Sequence, residues 1–90
     1  MKTGIELITD ERVEQIKKHG YKIEIDVNNN GDGQLIDAAR SLLKPTAAYE
    51  PEPYNWDVET WNKMRNKSFT ERYIIAGAFI AAELDRIQNT

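Results

Sequence analysis

From Ser68 to Gln88 the chain reads as a helix whose middle is apolar on almost every side. This stretch limits the fold more than any other. Ser68 and Glu71 stand three apart, the spacing of a capping box in which each helps to satisfy the other's end of the first turn. Phe69, Tyr73, Ala76, Ile80, Leu84 and Ile87 then make one stripe, and Ile75, Phe79 and Ala82 widen it. A helix apolar nearly all round belongs in the middle of a core. Ala76, Gly77, Ala78, Ala81 and Ala82 are small and let another helix come close. The longest uncharged apolar run, Ile74 to Ala82, is far too short to span a bilayer.

Three further helices are expected around it. The first runs from about Thr3 to Lys18. Thr3 and Glu6 form a second capping box, and Ile5, Ile8, Val13 and Ile16 form its inner face. Acidic residues load its first half, Lys17, Lys18 and His19 its last turn, and Gly20 stops it. The second runs from about Gly33 to Leu43, with Asp32 as N-cap and Leu35, Ala38, Ala39, Leu42 and Leu43 buried. A short third helix runs from Asp57 to about Met64, capped by Asp57. Between the first two, Tyr21 to Ile25 alternates apolar and polar residues as an extended segment. Lys44 to Asn55 holds all three prolines and reads as a long loop with Tyr49 and Tyr54 along it. The expected fold is all-α. It is a single domain over residues 1–90, an irregular bundle of three main helices and one short one, with a long loop rich in proline and aromatics.

Ninety residues without a cysteine have neither disulfides nor thiolate metal sites to brace them. The net charge is −3, with twelve basic residues scattered among fifteen acidic ones. No basic stripe exists, so nucleic acid is not an expected partner. The N-terminal residues lack the apolar segment of a signal peptide, which points to the cytoplasm and away from a membrane.

The residues with the most distinctive chemistry run from Asp26 to Asp37. Asp26, Asn28, Asn30, Asp32, Gln34 and Asp37 fall at the ligand spacing of a twelve-residue calcium loop, with Gly31 at the sharp turn. Asp37 replaces the usual closing Glu, and Gly33 stands where such a loop places an aliphatic anchor. A frame two residues later restores the anchor and loses two carboxylates. Gly20 ends the preceding helix too early for an EF-hand, and a dockerin-type arrangement needs a second loop. Without calcium, the same residues make a polar turn that caps the next helix.

A second possibility is a metal-dependent nucleotide hydrolase. Glu11 and Glu14 share a helical face and suit magnesium, and Asp26 and Glu83 are the carboxylates available to complete the site. The facing acidic pair is missing, since Glu83 and Asp85 are two apart and point differently. A solvated, ion-paired surface accounts for the same residues. Tyr49, Tyr54, Trp56 and Trp61 either grip a ligand or plug the core beneath the loop, and the plug suits so short a chain. His19 stands alone, and the helix end explains it.

Several blocks together resemble a family of small phage, prophage and conjugative-element proteins. They are Gly4-Ile5-Glu6-Leu7-Ile8, Glu11-Arg12, Gln15-Ile16, Gly20-Tyr21, Glu24 with Asp26, Gly33 with Leu35, Ala38-Ala39, and Trp56-Asp57 with Trp61. The most specific is the run from Ala76 to Arg86. The resemblance covers nearly the whole chain and implies a genomic setting rather than an activity. It also implies that relatives line the loop segment with histidine and acid. Here Ile25, Val27 and Gln34 stand in those places, so such a site is eroded. The resulting expectation is an interaction or small-ligand-binding protein rather than an enzyme, one that self-associates or meets a protein partner. Beyond the loop, Glu11, Arg12, Glu24, Trp56, Trp61 and Glu83 are its candidate site residues. Calcium is the one cofactor considered.

Overall fold

In a computed structural model of the protein, residues 1–19, 31, 33–45 and 49–89 are described. They contain four helices: α1 (Gly4–His19), α2 (Gln34–Leu42), α3 (Val58–Arg65) and α4 (Phe69–Gln88). The fold is all-α, with no strand among the described residues. The expected extended segment at Tyr21 to Ile25 and the stop at Gly20 lie outside them.

The helix starts follow the local chemistry. Thr3 N–H donates to Glu6 Oε1 at 2.9 Å, and Glu6 N–H donates to Thr3 Oγ1 at 3.2 Å, closing the box ahead of α1. Asp57 accepts from Thr60 N–H at 2.8 Å and caps α3. Ser68 accepts from Glu71 N–H at 3.2 Å and caps α4. At α2 the expectation fails. Its N-cap is Gly33, with a left-handed φ of 86° and no side-chain cap, while Asp32 lies outside the described residues. Only glycine takes that backbone conformation without strain.

The core joins Leu35, Ala38, Ala39 and Leu42 of α2 to Trp61 of α3 and Ile75, Ala76, Phe79 and Ala82 of α4. Trp56 and Met64 pack against it. The end of α2 is bonded to the start of α4 through Arg72 and Leu42. Leu43, expected inside, is half exposed because α2 has already ended and the chain turns outward at Lys44.

Two faces are turned from their expected direction. On α1, Ile5 and Val13 are exposed, and the buried residues are Arg12 and Gln15. The helix is set by Ile8, which packs on the notch left by Gly77, and by the Arg12–Asp85 ion pair at 3.7 Å. On α4, Ile75, Phe79 and Ala82 form the core, and of the expected main stripe only Ala76 is buried. The apolar pattern offers two faces, and packing against α2 selects the one carrying Ile75, Phe79 and Ala82.

A candidate interaction face on the last helix

The rejected face of α4 stays at the surface. Phe69 (64% exposed), Tyr73 (49%), Ile80 (42%), Leu84 (55%) and Ile87 (52%) lie within one narrow strip at helical spacing. The strip runs along about 27 Å of helix. Phe69 and Tyr73 meet edge to face at 5.8 Å, so its first turn presents a fixed aromatic pair. No ionisable carboxylate, ammonium or guanidinium stands within the strip. Arg72 is buried, and Arg86 is held by Glu83 at 2.6 and 3.0 Å. The small residues expected to let another helix come close face inward: Ala76, Ala78 and Ala82 are buried, and Gly77 receives Ile8.

Two of the carboxylates proposed for metal chemistry, Glu83 and Glu11, are otherwise engaged. Both oxygens of Glu83 accept from Arg86. Glu11 accepts from Gln15 at 3.2 Å. Arg12 is buried beside Asp85. Among the described residues, no three His, Cys, Asp or Glu side chains are grouped to hold a metal. Glu24, Asp26, Asn28, Asn30 and Asp32 lie outside the described residues. Of the remaining loop ligands, Gln34 is buried and Asp37 is exposed on the first turn of α2.

The aromatic cluster divides in two. Trp61 is 1% exposed, and its indole N–H donates to Glu50 O at 2.9 Å. Trp56 packs edge-on against Phe79 at 5.2 Å and against Trp61 at 6.1 Å. Those two plug the core, whereas Tyr49 and Tyr54 are exposed. Tyr54 borders a polar cleft of about 300 Å3 with Arg40, Lys44, Glu50 and Glu52. Glu50 is fixed there by Ser41 Oγ–H at 2.8 Å and by Lys44. The Ser41 hydrogen bond, then that from Lys44, hold its carboxyl below the ordinary value.

No protein-family model matches the chain, and no similar curated protein or solved structure was found. The geometry of the chain stands without a solved counterpart. That geometry contains one arrangement the sequence patterns did not show. Arg65 donates to the carbonyls of Ser41 (2.6 Å) and Pro45 (2.9 Å), while Arg72 donates to that of Leu42 (2.9 Å), and both reach Lys44 O. Burial, then the charge of Arg72, lowers the Arg65 pKa. The two guanidiniums gather the open carbonyls at the end of α2, which is structural work. The only signal in the sequence was an arginine within an otherwise apolar helix face.

Proposed function

We propose that this chain is a small cytoplasmic interaction protein of a phage or other mobile element, with the exposed strip of α4 as its contact surface. The observation that carries the reading is the set of five large apolar side chains left at the surface of one helix. Singly exposed apolar residues are ordinary, but a contiguous strip marks a contact surface. The run from Ala76 to Arg86, most specific in the family resemblance, builds both the inner and the outer face of α4. Its likeness therefore supports a shared helix and surface rather than shared catalysis. Engagement of Glu83 by Arg86 weighs against the hydrolase, and the opposite burial of Gln34 and Asp37 weighs against a shared ion.

The test is a photo-crosslinking residue at Ile80 in producing cells, with the same residue at exposed Glu59 of α3 as control. A discrete adduct from position 80 alone is the expected result. No discrete adduct there would overturn the reading.

A further inference from the structure

We infer that α1 is a releasable cover. It lifts from α4 as one unit while α2, α3 and α4 stay folded, and it uncovers the line Gly77, Ala81 and Asp85, which stand four apart along α4. This is independent of the outward strip and of whatever meets it.

The core closes without α1. Its buried members come from α2, α3 and α4, and among the described residues the partly buried side chains packed against it are Trp56 and Met64. The same three helices are cross-linked by hydrogen bonds to main-chain carbonyls. Arg72 reaches Leu42 O, Arg65 reaches Ser41 O and Pro45 O, and the Trp61 indole reaches Glu50 O. Release of α1 leaves each of these bonds in place.

The seat of α1 on α4 is of another kind. Ile8 bears on Gly77, and Arg12 lies beside Asp85. The buried residues of α1 are the polar Arg12 and Gln15, while Leu7, Ile8 and Ile16 are half-buried. Gln15 Oε1 is buried without a donor, and water satisfies it once the helix lifts. The Asp85 side chain is 42% exposed and 3.7 Å from Arg12, so solvent screens that pair and it holds the helix weakly. Ile5 and Val13, the apolar residues that would anchor α1 elsewhere in a core, are exposed. Apolar burial is the main force that holds elements together, and a segment with little of it opens at lower free energy than the whole chain.

Once released, α1 does not persist as a helix. It has sixteen residues, and a helix of that length is marginal in water without a surface to pack on. Lifting therefore frees its main-chain amides to exchange with solvent, and the open form can be counted by that exchange. The amides of α2 and α4 exchange only when the core itself opens.

Residue-resolved hydrogen exchange of the full chain under native conditions tests this. The central amides of α1, from Arg12 to Ile16, should be at least about tenfold less protected than those of Leu42 and Phe79. Two substitutions separate release from unfolding of the whole. Ile75→Val trims the core, which the closed and released forms share. It should cost the Leu42 and Phe79 amides about fivefold in protection and leave the α1 amides as they were. Gly77→Ala crowds Ile8 in the closed form alone, so it should cost the α1 amides about fivefold. Equal protection of α1 and the core in the unaltered protein, or a loss shared by both in Ile75→Val, would mean that α1 opens only with the whole chain and would overturn the inference. Unchanged α1 protection in Gly77→Ala would overturn it as well, because exchange would then come from fraying within a helix that stays seated.

Discussion

Arg72, in the first turn of α4, donates to the carbonyl oxygen of Leu42 at the end of α2, 2.9 Å away. The residue is buried, and the bond joins the last turn of one core helix to the first of another. Such a charge-assisted bond satisfies a carbonyl that α2 leaves open. Arg72→Met removes the donor and strands buried carbonyls. It should lower the unfolding free energy by about 3 kcal/mol in a denaturant titration. Arg72→Lys should recover only part of this, because a lysine cannot reproduce the planar fork.

Arg65 shares Lys44 O with Arg72 and bears a like charge beside it. Removing either arginine relieves repulsion on the other while it loosens the same loop. Arg65→Met and Arg72→Met should therefore be non-additive. The double variant should lose about 1 kcal/mol less than the sum of the singles. Strict additivity across the four proteins would show that the two guanidiniums act independently.

The local features of this fold were legible in the sequence because their causes are local. Thr3 with Glu6, Asp57, and Ser68 with Glu71 mark helix starts within four residues of chain, and all three cap as spaced. The choice between two apolar faces of α4 was not legible. It depends on how α2 packs against Ile75, Phe79 and Ala82 and on where Arg72 and Glu83 find partners thirty residues away or three. The rotation of α1 has the same origin, since Ile8 is placed by a missing Cβ at Gly77. Thus the strip that carries the functional reading was read as core, and its exposure follows from tertiary contacts alone.

Acid should act through the caps and the loop. Hydrogen bonds from Thr60, first its backbone N–H and then its hydroxyl, hold the Asp57 carboxyl below its ordinary value. Glu50 is lowered by Ser41 and Lys44. A carboxylate with a depressed folded-state pKa stabilises the fold above its unfolded value, and that stability is lost as pH falls through the folded value. The melting temperature should hold near neutrality and fall below about pH 4. Asp57→Asn keeps a capping oxygen, so it should melt close to wild type at pH 7 and flatten the decline in acid. A decline as steep as wild type would show that the cap is not its source.

Gln15 is 2% exposed on the inner face of α1, and its Oε1 accepts no hydrogen bond among the described residues. Its amide nitrogen donates to Glu11. A buried acceptor without a donor destabilises more than its neighbour's bond returns. Gln15→Met has similar length and no acceptor to satisfy. It should raise the unfolding free energy by about 1 kcal/mol, measured by chemical denaturation. A loss of stability instead would mean that the amide oxygen has a partner that matters.

The seat of α1 on α4 is best tested at Gly77. A Cβ built there would lie 2.6 Å from Cδ1 and 2.9 Å from Cγ1 of Ile8, so one helix must move or Ile8 must change rotamer. Alanine in place of a helical glycine ordinarily gains about 1 kcal/mol. Overpacking a helix contact costs about 1–3 kcal/mol, and a β-branched side chain yields poorly. Gly77→Ala alone should therefore destabilise by about 1 kcal/mol. In an Ile8→Ala background the obstructing atoms are gone, and the same substitution should stabilise by about 1 kcal/mol. The reversal of sign, read from denaturant unfolding of the four proteins, is the signature of direct contact. If Gly77→Ala has the same effect in both backgrounds, α1 does not rest on that notch, and its rotation away from Ile5 and Val13 needs another cause.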